Sequence, residues 1–148
     1  MEGKEYAVVD IETTGGNAAN SAITEIAIFI YNGNELITQW ETLINPQQEI
    51  PSFITALTGI SNAMVAKAPV FEEVAEKIYH LLHNRIFVAH NVNFDYSFVR
   101  HQLQTSGYQW NATKLCTVRA ARKIIPVYRS YSLEVLCSAL QIPLKIQH

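Results

Sequence analysis

Apolar residues fill the first third of the chain in three separate runs. Residues 6–11 are apolar at almost every position, which is typical of a strand buried on both faces at the centre of a sheet. A second β-rich run covers residues 23–31, and a third covers residues 35 to about 44. Between these two runs stands Asn32-Gly33-Asn34, a strong hairpin signal. The pattern predicts three consecutive strands in an antiparallel meander.

The middle of the chain changes to helical spacing. After Pro69, apolar residues recur every three or four positions between residues 71 and 82, which predicts an amphipathic helix. Residues 85–89 form a short apolar run and predict a fourth strand. Another helix is expected directly after that strand. The residues expected on the inner side of this helix are Phe94, Phe98 and either His101 or Gln102.

The last part of the chain adds one weak strand and two helices. Residues 114–117 predict the strand, and a helix should follow to about residue 125. Ser132 is the predicted N-cap of a final helix, which Pro143 ends. Together the elements predict an α/β fold with a mixed five-stranded sheet and helices on both faces. No internal repeat or linker divides residues 1–148, so a single domain is expected.

The composition argues against several classes of protein. Hydrophobic residues make up 49% of the chain, enough for one packed core, and 16% charged residues are too few for a disordered chain. No apolar stretch approaches the ~18–20 residues of a membrane span. The N-terminus lacks the basic start and apolar run of a signal peptide, so a cytoplasmic protein is expected. Cys116 and Cys137 are too few for a disulfide framework and are expected to be small buried side chains.

The net charge of −2 bears on nucleic-acid binding. Proteins that coat DNA regardless of its sequence are usually basic, so this charge argues against such a role. It does not argue against a nuclease, because bound Mg²⁺ ions change the local charge of an acidic active site.

Two acidic residues stand at the end of the first predicted strand. Strand side chains alternate, so Asp10 and Glu12 share a face with their bases roughly 6–7 Å apart. Carboxylates held in this way can bind the paired metal ions of a phosphodiester-cleaving site. The alternative is that both residues begin a solvated turn. Their place after a buried apolar run favours the functional interpretation, because a charge there is costly without a partner.

A second polar segment follows the fourth predicted strand. It reads His90-Asn91-Val92-Asn93-Phe94-Asp95 and places Asp95 in the first turn of the next helix. The alternative interpretation is helix chemistry, because acidic residues near a helix N-terminus cap it and suit its dipole. His90 and Asn91 are expected to hold the turn together by hydrogen bonds rather than to bind metal.

These two segments resemble two motifs of the DEDD exonuclease superfamily. Val9-Asp10-Ile11-Glu12-Thr13-Thr14-Gly15 is similar to its first motif, and Ala89-His90-Asn91-Val92-Asn93-Phe94-Asp95 is similar to its second. The connecting segments Thr24-Glu25-Ile26-Ala27, Ile44-Asn45-Pro46 and Leu57-Thr58-Gly59-Ile60-Ser61 are similar to the proofreading (epsilon) subunit of bacterial replicative DNA polymerase. The resemblance covers nearly the whole chain and implies a ribonuclease H-like fold.

The third motif of the histidine-bearing (DnaQ-like) branch falls at the end of the chain. His148 stands where the motif histidine is expected, with an expression-tag remnant as the rival interpretation. The fourth carboxylate of the family would come about five residues later, so the chain is expected to be truncated and only weakly active. Cys116 occupies a place where relatives often carry Asp, and it is not counted as a ligand.

The resemblance implies a chemistry for these positions. Asp10, Glu12 and Asp95 would hold two Mg²⁺ or Mn²⁺ ions, and His148 would be the general base. Thr13 and Thr14 would receive the sugar of the terminal nucleotide, unless their hydroxyl groups only stabilise a turn. The residues expected to bind substrate are Thr13, Thr14, His90 and Asn91.

The expected function is 3′→5′ removal of nucleoside 5′-monophosphates from single-stranded or frayed DNA 3′ ends, as in proofreading. A replicative polymerase subunit is a candidate partner. RNA 3′-end trimming is a second enzymatic interpretation, because no residue is recognisable as a reader of the 2′ hydroxyl group. An interaction module that keeps the fold without catalysis is the alternative from another class.

Overall fold

The computed structural model describes residues 4–116, which contain one mixed sheet. The strand order is β3-β2-β1-β4-β5, with antiparallel pairing among β1, β2 and β3 and parallel pairing of β4 with β1 and β5. This arrangement confirms the predicted meander and five-stranded sheet. The strands are β1 Glu5–Thr13, β2 Ile23–Asn32, β3 Glu35–Leu43, β4 Ile86–Ala89 and β5 Lys114–Cys116, and the helices are α1 Ser52–Thr58, α2 Asn62–Val65, α3 Phe71–Leu82 and α4 Val92–Thr105.

A two-residue loop joins β2 to β3, as its sequence predicted. Asn32 lies opposite Glu35, which leaves Gly33 and Asn34 in the loop. Gly33 has a φ of 61°, a conformation that residues with a Cβ rarely adopt. The hairpin therefore depends on glycine at this position.

The central strand β1 is buried on both faces. Ala7, Val9 and Ile11 face a large core that includes residues of α3 and α4, whereas Val8 belongs to a smaller cluster on the opposite face. This explains why the apolar run of β1 does not alternate with polar residues. The edge strand β3 is mostly exposed by contrast, which suits its position at the rim of the sheet.

Helices α3 and α4 close the larger core. Phe71, Ala75, Ile78 and Leu82 lie on the buried face of α3 at the spacing that the sequence predicted. Within residues 4–116, both of these helices pack on the same face of the sheet. The two helices predicted after residue 117 lie outside the described residues. No helix of the described part is long and apolar enough to cross a membrane.

Helices α1 and α2 were not predicted from the sequence. Helix α1 is only seven residues long, which is shorter than the window over which a helical period can be recognised, and none of its residues is fully buried. Its termini are marked by Pro51 before the first residue and by Gly59, with a φ of 78°, after the last. In α2, the Ser61 side chain accepts a hydrogen bond from the Met64 N–H.

An ion pair lies at the end of the sheet where the inner strands β1 and β4 begin. The Arg85 Nε–H donates to Glu5 Oε1 at 2.9 Å, and Arg85 Nη1 donates to the Leu81 carbonyl at 2.7 Å. Arg85 thus ties the C-terminal end of α3 to the start of β1.

The parallel pairing of β1 with β4 is short. It runs from Tyr6 opposite Ile86 to Val8 opposite Val88, whereas the pairing of β1 with β2 continues to Thr13. The last part of β1 therefore extends beyond β4. This extension carries Asp10 and Glu12.

The fold predicts a contrast between two neighbouring residues of α3. Ile78→Ala should lower the free energy of unfolding by about 2–5 kcal/mol, because Ile78 is fully buried and the substitution leaves a cavity. Glu76→Ala, at an exposed site of the same helix, should change it by less than about 0.5 kcal/mol. Urea unfolding of both variants tests this, and equal effects would contradict the assignment of the buried face.

Candidate active site

Asp10 and Glu12 lie on the extension of β1 beyond β4. They follow Val8 on the strand face that points away from the α3 and α4 core. Both are partly exposed, and each already has an interaction within the protein. Glu12 lies directly opposite Glu25 of β2, so a further carboxyl group adds to the negative charge at this end of the sheet.

Asp95 approaches these residues from α4. It lies in the first turn of the helix, as predicted, and only 8% of it is exposed. Its carboxyl group accepts hydrogen bonds from its own backbone N–H and from the backbone N–H of Ile11. Since the pairing of β1 with β4 ends at Val8, the N–H of Ile11 has no partner in β4 and is available to Asp95.

The carboxyl group of Asp95 is electrostatically perturbed. Burial raises the pKa of Asp95 to about 8, with a further contribution from the negative charge of Asp10. Glu12 adds a smaller increase, and the two backbone hydrogen bonds oppose the rise. Without a compensating positive charge, Asp95 therefore keeps its proton at neutral pH.

His90 and Asn91 form the turn between β4 and α4, but their side chains do not hold it. The His90 carbonyl accepts a hydrogen bond from Cys116 Sγ–H at 3.3 Å, and the Asn91 carbonyl accepts from the N–H groups of Phe94 and Asp95. The Asn91 side chain makes no capping bond. Hydrogen bonds therefore hold the turn together at His90 and Asn91, as the sequence indicated, and backbone carbonyl groups accept them.

The imidazole of His90 lies close to Asp10. Burial lowers the pKa of His90, and the charge of Asp10 opposes this change. Its Nδ1 atom is buried and has no hydrogen-bond partner within the described part of the chain. The His90 ring therefore lies beside the acidic end of the sheet.

Thr13 and Thr14 stand at a register shift between β1 and β2. The Thr13 hydroxyl donates to the Gly15 carbonyl at 2.7 Å. The Thr14 hydroxyl donates to Gln48 Oε1 at 2.5 Å and accepts from the Ala22 N–H at 3.0 Å. Both hydroxyl groups thus stabilise the turn, and contact of these residues with substrate stays a prediction.

Two predicted residues of this region have roles in packing. Phe94 is half-buried against the core, and its ring centroid lies 4.9 Å from that of Phe98. Cys116 is also half-buried and packs against the same core. His148 and Cys137 lie outside the described residues.

Two glutamines of this region were missed or left undecided by sequence reasoning. Gln48 bonds to Thr14, and its exposed loop carries no pattern that could have indicated this. On α4, Gln102 rather than His101 faces inward, and its Oε1 accepts the N–H of Ile23 at 3.0 Å. The seven-residue spacing from Asp95 could have indicated the inward side of Gln102.

The donor set of this end of the sheet consists of carboxyl oxygens, which hard divalent cations prefer. A cation would also offset the charges that raise the pKa of Asp95. Within residues 4–116, no three His, Cys, Asp or Glu side chains lie close enough together to enclose a metal ion. Mg²⁺ commonly uses only one or two carboxylates and completes its coordination with water and substrate phosphate, so Asp10, Glu12 and Asp95 fit such ions.

Comparison with known protein sequences gives consistent relatives. The RNase T exonuclease family model matches residues 7–148. The 3′-5′ exonuclease DinG of Bacillus subtilis is 38% identical over 144 residues, which cover 96% of this chain and 16% of that protein. The PolC-type DNA polymerase III of Caldanaerobacter subterraneus is 37% identical over 148 residues, which cover 100% of this chain and 10% of that protein. The chain thus spans about a sixth or less of these curated relatives.

Solved structures share the fold. Exonuclease X in complex with 5′ overhanging duplex DNA is 25% identical with a TM-score of 0.71, covering 96% of this chain and 76% of that one. A zinc-bound form of E. coli exonuclease I with single-stranded DNA has a TM-score of 0.76 at 18% identity, covering 95% and 36%. The mixed five-stranded sheet is therefore the ribonuclease H-like sheet that the sequence resemblance implied.

The raised pKa of Asp95 predicts a pH-dependent effect of Asp95→Asn on stability in a metal chelator. Between about pH 4, the unfolded pKa, and pH 8, the folded protein binds more protons than the unfolded chain, so this group makes the wild type less stable as pH rises. Asp95→Asn has no carboxyl group at this position and therefore does not lose stability in this way as pH rises. Relative to wild type, its free energy of unfolding should rise by up to about 1.4 kcal/mol per pH unit.

Urea unfolding in EDTA at pH 5, 6.5 and 8 measures this difference. Glu72→Gln, which removes an exposed carboxylate of α3, is the matched control, and any trend that it shows is subtracted. A difference between Asp95→Asn and wild type that stays constant over the three pH values would mean that Asp95 titrates as an ordinary carboxyl group.

Proposed function

The chain belongs to the RNase T exonuclease family, and from this premise we propose that it is a metal-dependent 3′→5′ exonuclease that releases nucleoside 5′-monophosphates from DNA. The meeting of Asp10, Glu12 and buried Asp95 at one end of the sheet carries the proposal. The negative charges of Asp10 and Glu12 beside the buried carboxyl group of Asp95 are unfavourable for the fold alone, and they suit a site that binds cations.

Asp10, Glu12 and Asp95 would hold two Mg²⁺ or Mn²⁺ ions. When bound, such ions would supply the positive charge that activates the attacking water and stabilises the leaving 3′ oxygen of the phosphodiester. Asp95 would bind as the carboxylate, because nearby positive charge lowers a pKa that burial and Asp10 have raised. The N–H of Ile11 would continue to orient this carboxylate.

The remaining residues would position the substrate and move a proton. Thr13 and Thr14 lie in a hydrogen-bonded turn beside the carboxylates, and this turn would receive the terminal sugar. His90 and Asn91 flank the same end of the sheet and would contact the terminal nucleotide. His148 would accept the proton of the attacking water, because an imidazole with a pKa near 6.5 suits this step close to neutral pH.

DNA is the favoured substrate over RNA. The structural relative that is 25% identical is exonuclease X bound to duplex DNA with a 5′ overhang, a substrate with a recessed 3′ end. The PolC-type relative is a DNA polymerase, which supports a replicative polymerase as the partner and proofreading as the setting.

Digestion of a 5′-labelled single-stranded DNA with Mg²⁺ or Mn²⁺ tests the function. The chain should shorten the strand stepwise from its 3′ end, release nucleoside 5′-monophosphates and stop when EDTA is added. Asp10→Asn should reduce the rate by more than about 100-fold, since losing a ligand should exceed the loss seen for its supporting partners. Glu76→Gln, at an exposed carboxylate far along α3, is the matched control and should retain the wild-type rate.

The assay also separates the alternatives. An RNA of the same sequence is included, and faster digestion of the RNA would favour RNA trimming. A circular DNA is also included, because it has no 3′ end and an exonuclease should leave it intact. If the folded protein digests neither nucleic acid, the exonuclease proposal is wrong and an interaction module is the better interpretation.

A further inference from the structure

Helix α4 is fastened to the strands at two points on its inner face. Near its start, the Asp95 carboxyl group accepts the N–H of Ile11 in β1. Near its end, Gln102 Oε1 accepts the N–H of Ile23, the first residue of β2, at 3.0 Å. Ile23 is fully buried, so its N–H has no access to water as a replacement partner.

The two anchoring residues lie on one line along the helix. Seven residues separate Asp95 from Gln102, which corresponds to two turns and about 10 Å of rise. Phe98 and Val99 are fully buried between them. The two polar contacts thus bracket an apolar contact, and they set the position of α4 along the end of the sheet.

Ile23, whose N–H bonds to Gln102, is paired with β1 next to the candidate site. Ile23 lies opposite Thr13, directly after Glu12 in β1. Gln102 therefore joins the helix that carries Asp95 to the strand pair that carries Asp10 and Glu12. The contact crosses 79 positions of sequence, so no local structure could replace it.

Packing alone does not hold the Gln102 side chain. It lies at the wall of a cavity of about 230 Å³ that is also lined by Ser21, Gln48 and Phe71. A side chain with open space beside it can take other rotamers, so its hydrogen bond to Ile23 is what fixes its position.

We infer that Gln102 is a positioning residue that sets the separation between Asp95 and the carboxylates of β1, and thereby the affinity of the site for divalent cations. The inference rests on the proposed function, because it concerns the cation site of that reaction. Loss of the Gln102 acceptor lets α4 shift, and the three carboxyl groups no longer share their ions in the same geometry. Gln102 would act on the site through its hydrogen bond with the Ile23 N–H rather than as a ligand.

Two substitutions of Gln102 separate its hydrogen bond from its shape. Gln102→Met keeps the length of the side chain and removes the acceptor, whereas Gln102→Glu keeps an acceptor oxygen. Binding of Mn²⁺ alone is followed by electron paramagnetic resonance of the free ion, and kcat and KM are measured on single-stranded DNA. Gln102→Met should bind Mn²⁺ roughly tenfold more weakly than wild type, and its loss of activity should lie mainly in kcat. Gln102→Glu should retain the Mn²⁺ affinity and the kcat of wild type.

Arg85→Met is the matched control, because it removes hydrogen bonds at the opposite end of the strands, where β1 and β4 begin. It should lower the midpoint of thermal unfolding and leave Mn²⁺ affinity unchanged. If Gln102→Met does not fold, Gln102→Asn replaces it, since the shorter side chain withdraws the acceptor and should give the same loss.

The outcomes distinguish this inference from the proposed function. If wild type binds Mn²⁺ and digests DNA, unchanged Mn²⁺ affinity and kcat in folded Gln102→Met overturn the inference alone. Weaker Mn²⁺ binding by Arg85→Met of the same size also overturns it, because the effect would then follow stability. If wild type neither binds Mn²⁺ nor digests DNA, the proposed function fails and the inference fails with it.

Discussion

The hydrogen bond between the Ile11 N–H and the Asp95 carboxyl group joins the two halves of the candidate site. This hydrogen bond can form because β1 extends beyond its parallel partner β4. The pairing of the two strands ends where Val8 of β1 lies opposite Val88 of β4. A longer β4 would occupy the same backbone group and keep α4 away from β1. Strand β4, the turn at His90 and helix α4 therefore act together. They bring Asp95 of α4 beside Asp10 and Glu12 of the central strand β1.

This arrangement sets stability against function. Asp95 is buried next to Asp10, and its raised pKa is the expression of that unfavourable environment. In the absence of cations the fold tolerates the site by keeping a proton on Asp95. Cations can take the place of that proton, since both supply the positive charge that the three carboxyl groups lack. The same electrostatic conflict thus explains the perturbed group and the chemistry proposed for it.

The sequence could predict features that follow from local period and turn chemistry. The buried run of β1 and the shared face of Asp10 and Glu12 are of this kind, as is the glycine hairpin at Gly33. The short helix α1 was missed because its seven residues are too few for a helical period to be recognised, although Pro51 and Gly59 mark its ends. The contacts of Gln48 with Thr14 and of Gln102 with Ile23 depend on how distant segments pack, so residue types along the chain did not indicate them. The hydrogen-bonded turn at Asn91 was expected from the sequence, and the bonds that hold it are made by the Asn91 carbonyl.

The burial of β1 on both faces has a consequence for how the strand finds its alignment. Sliding β1 by one residue would exchange one set of apolar contacts for another, so hydrophobicity alone discriminates weakly between the two alignments. The same slide would turn Asp10 and Glu12 toward the core beneath α3 and α4, where a lone carboxylate is strongly disfavoured. The acidic pair therefore penalises the shifted alignment during folding. The alignment of the strand and the proposed reaction then depend on the same two side chains.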